Sequence, residues 1–219
     1  VVPYLDMPIQ HASDAVLERM RRPERQDRLR EKIARLRSSI PDLTLRTTVM
    51  VGFPGETEDD FRDLLNFVED VEFDRLGAFS FSPQDGTRAM GMEGEFLPDG
   101  VGTERLEELL EVQRAISADR LQASIGRRVE ALVDEEGETA VARTWGQADD
   151  VDGVTILEGT AGLAAGTIVE AEIVDADDYD LTGIVHRIIR ATGTPAGAGA
   201  GQRRALPVLP LGLEAVWGR

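Results

Sequence analysis

The chain has 219 residues, of which 24 are lysine or arginine and 41 aspartate or glutamate, giving a formal charge of -17 at pH 7 with no cysteine at all. That length holds one large domain or two small ones, and the charge repels nucleic-acid phosphate while favouring basic partners. The missing cysteine excludes disulfides and thiolate metal sites within this stretch, and no apolar run approaches the roughly 20 residues that span a bilayer.

The sequence opens on Val1 already inside a strand pattern, Val2 to Met7, and so reads as a fragment of something longer. Gln10, His11 and Ser13 lie at the mouth of that strand, and Ser13 or Asp14 can cap a helix carrying Val16, Leu17 and Met20. Pro23 interrupts it. A second helix follows with Leu29, Ile33, Leu36 and Ile40 on one face, its other face carrying Arg25, Arg28, Arg30, Arg35 and Arg37 as a solvated outer surface. Leu43 to Val51 is the next strand, apolar enough to be covered on both sides as parallel strands are. Pro54-Gly55 suits a type II turn, because proline presets one dihedral and glycine accepts positive φ. Thr57 then caps a helix with acidic Glu58, Asp59 and Asp60 in its first turn and Phe61, Leu64, Leu65 and Val68 as its stripe. Phe73 to Ser82 gives a third strand, closed by the turn Pro83 to Thr87. Such strand–helix–strand repetition argues for right-handed crossovers and a parallel sheet.

A long helix is expected from Thr103 to about Ser124, ended by Gly126. The character then changes. Val129 to Asp134 and Thr139 to Thr144 flank Glu136-Gly137 as a hairpin, and strands follow near Val154 to Leu157, Thr167 to Val174 and Thr182 to Ile189. This run of short strands predicts a small closed barrel of the oligonucleotide-binding type. Beyond Arg190 the Gly/Ala/Thr composition is that of a flexible linker.

The turn Gly52-Phe53-Pro54-Gly55-Glu56-Thr57 lets a ligand approach the backbone, but it lacks the lysine of a phosphate loop and the spacing of a dinucleotide fingerprint. By spacing alone a plain turn is favoured over a binding loop. Gln10 and Ser13 offer groups suited to ribose hydroxyls, or to helix capping. His11 could be a base or a ligand, yet no second histidine lies nearby, and His186 falls within a barrel strand; a structural role is favoured for both. No nucleophile–base frame can be assembled.

MPIQHASD from Met7, VGFPGET from Val51 and GAFSFSPQDGTRA from Gly77, taken together, resemble the radical S-adenosylmethionine methylthiotransferase family, and the small barrel resembles its TRAM domain. Gln10-His11-Ala12-Ser13-Asp14, with Tyr4-Leu5-Asp6 and the run Asp175 to Gly183, is similar to the RimO-type branch, which modifies an aspartate of small-subunit ribosomal protein twelve. The tRNA-modifying branch typically reads Gln-Ser-Gly-Ser-Asp there. The resemblance implies an α/β fold, the C-terminal part of a radical-SAM (partial TIM-like) barrel over 1–126, then an OB-like TRAM barrel over 127–191 and a flexible tail over 192–219. It implies a cytoplasmic enzyme using S-adenosylmethionine and two 4Fe-4S clusters whose cysteines lie upstream of Val1, so that this piece alone is inactive. Gln10 and Ser13 would face the ribose or methionine part of the cofactor, the backbone around Val51, Gly52 and Phe53 would lie near adenine, and Glu56 would support the turn.

Charge bears on the substrate independently. From Arg127 to Ala191 there are five arginines against fifteen carboxylates, a poor surface for RNA phosphate and a better one for a basic ribosomal protein. A tRNA adenosine methylthiotransferase and a cluster-free binding module are the alternatives.

Overall fold

A computed structural model describes residues 2–160 and 162–192. Short apolar runs broken by Gly and Pro form strands β1 (Tyr4–Asp6), β2 (Thr44–Val51) and β3 (Arg75–Ser80), all parallel, in the order β1-β2-β3. β1 is shorter than the expected Val2 to Met7, since Pro3 has no N–H to give to a ladder. Backbone bonds still tie both its ends to β2, from the Thr44 N–H to the Pro3 carbonyl and from the Met7 N–H to the Arg46 carbonyl.

Helices α1 (Asp14–Arg19), α2 (Gln26–Ser39), α3 (Glu58–Val71) and α4 (Val101–Gln122) follow the predicted spacing closely. α3 starts on a capping box, in which the Thr57 hydroxyl accepts from the Asp60 N–H while the Asp60 carboxylate accepts from the Thr57 N–H at 2.9 Å. Its stripe of Phe61, Leu64, Phe67, Val68 and Val71 packs with Leu45, Val49 and Val51 of β2, Leu29 and Ile33 of α2, and Leu109 of α4. The arginine face of α2 is less idle than the charge pattern suggests. Arg28 and Arg35 are exposed, but Arg30 lies 4.8 Å over the Phe67 ring and pairs with Asp70. Arg37 donates to the Val71 and Glu72 carbonyls at the end of α3, where a cation complements the helix dipole. Among the described residues no helix is long and apolar enough to cross a membrane.

Coverage of β2 differs from expectation. Its residues alternate, with Leu45, Thr47, Val49 and Val51 buried and Arg46, Thr48 and Met50 only half-buried. The helices pack on one face of the sheet; the other face, which also carries Tyr4, Arg75, Gly77 and Phe79 by register, is the concave side of a partial barrel. A short 3₁₀ segment, Arg88–Glu95, was not foreseen, because its glycine-rich composition has no period to read.

Strands β4 (Arg128–Glu135), β5 (Ala140–Thr144), β6 (Thr155–Glu158), β7 (Ile168–Ala176) and β8 (Leu181–Arg190) close into a barrel in the order β4-β5-β6-β8-β7. Alternating Val129, Ala131 and Val133 on β4 meet Val169, Ala171 and Ile173 on β7 inside it. The tail expected over 192–219 lies outside the described residues from position 193 on.

The barrel sits against the amino-terminal ends of the parallel strands. The Gly126 N–H donates to Ile173 O at 2.8 Å, Arg75 Nη1 to Tyr179 O at 3.4 Å, and Arg114 pairs with Asp178. The turn from Asp177 to Asp180 is self-supporting, with the Asp177 carboxylate accepting the Tyr179 and Asp180 N–H groups and Asp180 accepting the Val154 N–H. A cleft of about 310 Å³ between the two units is lined by Arg75, Arg120, Arg127 and Trp145 among others. Across the seam the Tyr4 hydroxyl donates to Asp152 Oδ2 at 2.7 Å, and Arg46 Nε lies 3.6 Å from the same carboxylate. Burial, and then this hydrogen bond, push the Tyr4 phenol well above its ordinary range. Tyr4→Phe is accordingly expected to cost about 1.5–3 kcal/mol, the worth of a hydrogen bond to a charged acceptor, read by urea titration; an unchanged midpoint would mean that the seam carries no such load.

Candidate functional site

The carboxyl ends of β1 and β2 lead into two loops that lie side by side, the place where ligands gather in parallel α/β sheets. The first loop stays in step with β2 beyond the end of β1. The Gln10 N–H donates to Thr48 O at 3.0 Å, the Met50 N–H donates to Gln10 O at 2.8 Å, and the Thr47 hydroxyl donates to Met7 O at 2.9 Å. Holding that register puts Gln10 at φ 69°, a conformation uncommon for a residue with a Cβ and a strain that clusters at functional positions. Among the described residues the Gln10 amide has no hydrogen-bond partner. Ser13 differs. It is buried, its hydroxyl caps α1 by accepting from the Val16 N–H and donates to Asp60 on α3.

Between Gln10 and Ser13, the His11 side chain is fully buried. Its Nδ1 accepts the Ser13 N–H at 2.9 Å, which leaves the ring proton on Nε2. That nitrogen points at Glu56 Oε2 from 3.6 Å and has no hydrogen-bond partner among the described residues.

The second loop is the tight turn after β2. Gly55 has φ 78° and the Glu56 N–H donates to Phe53 O at 2.9 Å, as a type II turn over Pro54-Gly55 requires. Its anchor is the Glu56 side chain, folded back beneath it and wholly out of solvent. One oxygen accepts the Phe53 N–H at 3.2 Å; the other accepts Arg105 Nη1 at 2.7 Å. Arg105 also donates to Glu56 O and Glu58, and lies 5.2 Å over the Phe61 ring. Burial pushes the Glu56 carboxyl up, but the His11 ring, the peptide N–H between Gly52 and Phe53, and Arg105 together hold it below its ordinary value. Asp60 behaves alike, raised by burial but brought lower overall by the Ser13 and Thr57 donors.

The turn is roofed from the side of β3. Gly52 has φ 73°, and a Cβ there would stand 3.1 Å from the Gly102 Cα at the start of α4. Phe53 is buried edge-on to Phe81, with ring centroids 5.4 Å apart, and Phe81 touches Phe96. The Gly55 N–H donates to Glu95 O, and Glu95 pairs with Arg19 of α1.

Gln10, Ser13, Val51, Gly52, Phe53 and Glu56 therefore all lie within the two adjoining loops or at the end of β2, but in different conditions. The Val51 carbonyl already accepts the Phe81 N–H, and the Phe53 ring is covered. Of these, Gln10 has the polar side chain with capacity to spare, and its amide suits a hydroxyl-bearing ligand, while its backbone bridges to Val49 of β2. Sequence reasoning missed Arg105 and Asp60, which close the network from α4 and α3. Arg105 carried one signal, an arginine within the apolar-faced first half of a helix; nothing in its spacing pointed to Glu56.

Comparison with known proteins follows the same division. The radical SAM superfamily model matches residues 1–68 and the TRAM domain model residues 125–185. Over 185 residues the chain is 44% identical to the ribosomal protein uS12 methylthiotransferase RimO of Saccharophagus degradans, covering 84% of this chain and 38% of that protein. The RimO protein of Hahella chejuensis is 47% identical over 184 residues, 84% of this chain and 42% of its own. That of an Anaeromyxobacter strain is 45% identical over 219 residues, 95% of this chain and 46% of its own. The chain spans less than half the length of these curated relatives.

Proposed function

We propose that the chain belongs to the radical S-adenosylmethionine methylthiotransferase family, RimO type, as the part of such an enzyme that forms one wall of the S-adenosylmethionine pocket and carries the TRAM barrel, a reading supported by the two domain matches and by the identity to RimO proteins. Two 4Fe-4S clusters would be held by residues outside this sequence. Bound S-adenosylmethionine, with its cluster, supplies radical chemistry for placing a methylthio group at an unactivated C–H bond. The residues of this chain orient it. The Gln10 amide meets a ribose hydroxyl. Ser13, bonded to Asp60, fixes the end of the same loop beside the cofactor. The backbone from Val51 to Phe53 runs near adenine, and Glu56 keeps that backbone in place.

The substrate in this reading is a basic small-subunit ribosomal protein, modified on an aspartate in the cytoplasm. The observation that carries it is identity of 44–47% to proteins named as uS12 methylthiotransferases, over most of this chain. Charge agrees. Glu135, Glu136, Glu138 and Glu158 are exposed at the end of the barrel away from the half-barrel, and none has an ion pair among the described residues. Purified chain is expected to bind ribosomal protein uS12, to lose it as salt rises, to ignore tRNA, and to show no methylthiolation by itself. Tight, salt-sensitive tRNA binding would favour the tRNA adenosine methylthiotransferase instead, and turnover by the isolated chain would refute the missing-cluster account.

A further inference from the structure

His11 sits where the two loops meet, yet the reading above gives it no task. A buried imidazole costs stability unless both nitrogens are satisfied. Here Nδ1 is, by the Ser13 N–H, and Nε2 is not. The acceptor facing Nε2 is Glu56 Oε2, 3.6 Å away, the same oxygen that accepts the Phe53 N–H at 3.2 Å. Arg105 pulls on the other oxygen, from the side of α4. The carboxylate is thus bonded from the α4 side, and on its other side it faces the His11 ring, which begins next to Gln10.

We infer that His11 is a positioning residue that sets the spacing between the Gln10 loop and the Gly52–Glu56 turn by keeping Nε2–H turned toward the Glu56 carboxylate, 3.6 Å away and so a longer, weaker contact than a hydrogen bond. The inference rests on the reading of these loops as the two sides of a nucleoside pocket. Nδ1 fixes the ring to its own loop, Nε2 engages the other loop, and the ring serves as a spacer of fixed length. The carboxylate in turn keeps the Phe53 amide aligned. Without the Nε2 donor, Glu56 remains paired with Arg105 and the fold persists, but the turn loses one of its two restraints.

Two substitutions divide the ring's functions. H11N retains an acceptor near the place of Nδ1 and removes the Nε2 donor, whereas H11Q supplies a donor near Nε2. In the 219-residue chain, long-range proton–nitrogen NMR should show the ring protonated at Nε2. Amide exchange at Phe53 should speed up by about threefold or more in H11N, since a contact longer than a hydrogen bond carries only part of that bond's worth, with exchange at the core residue Phe67 unchanged and with H11Q close to wild type. Adenosine serves as the binding probe, and its affinity should fall in H11N and recover in H11Q. A ring protonated at Nδ1, or Phe53 exchange equal in H11N and wild type, overturns the inference. Should wild-type chain fail to bind adenosine, the pocket reading falls, and Phe53 exchange still decides the role of His11.

Discussion

Arg105→Met is expected to lower the unfolding free energy by about 3–5 kcal/mol, because it leaves the Glu56 carboxylate buried without its counter-charge. Glu56 is out of solvent and Arg105 nearly so, so solvent cannot replace the lost partner. Methionine fills much of the same volume and keeps the contact with Phe61, which separates the charge effect from a cavity. The pH dependence carries a second signature. In the wild-type fold the Glu56 carboxyl titrates below its ordinary value of 4.5. A depressed folded value contributes stability that is present above the unfolded value and is lost as the pH falls through the folded one. Removing Arg105 raises the folded value, so the variant should lose less stability on acidification than wild type, and the two curves should converge as the pH drops. Denaturant titrations at neutral and acidic pH check this; a constant gap at all pH values would mean that Arg105 acts by packing.

Phe67→Ala should cost a similar amount, about 3–5 kcal/mol, for a different reason. The Phe67 side chain is fully buried between Phe73, with ring centroids 6.3 Å apart, and the Arg30 guanidinium 4.8 Å above it. Truncation leaves a cavity between α3 and the sheet, and no alternative neighbour can close it without moving α2. The loss should be independent of pH, in contrast to Arg105→Met. A thermal scan showing less than a third of the expected loss would indicate that the α2–α3 layer collapses easily into the gap.

These two positions also show what could be read in advance. The helix around Phe67 was legible, but Phe67 itself was not: the stripe Phe61, Leu64, Leu65 and Val68 omits it and includes Leu65, which is only half-buried. The loops were legible because Gly52, Pro54 and Gly55 announce backbone geometry that few other residues adopt. Arg105 was not, since an ion pair spanning 49 residues leaves no local pattern. His11 was visible only as an isolated histidine, and its neighbour at Glu56 emerges when β1 and β2 pair. The even coverage expected of β2 failed because it presumed helices on both faces, whereas the concave face of a partial barrel has none among the described residues. Barrel closure followed from strand number and spacing, while the parallel pairing of β6 with β8 is a property of the closed order.

The arrangement of the two units bears on how such an enzyme would work. The barrel lies against the amino-terminal ends of the strands, and the two loops lie at their carboxyl ends. Under the proposed function, docking a basic partner on the barrel and presenting a side chain to the loops would be separate tasks, so that charge reversal at Glu135 or Glu136 is expected to weaken uS12 binding, read by titration calorimetry, without altering the pocket.

The central claim is tested most directly in the source cells, by the intact mass of ribosomal protein uS12 with and without an in-frame disruption of the segment that encodes residues 7–60. The account predicts that uS12 carries the added mass of a methylthio group on an aspartate in the parent cells and lacks it after the disruption. A methylthiolated uS12 that persists in the disrupted cells, above all with methylthioadenosine disappearing from tRNA, would contradict it.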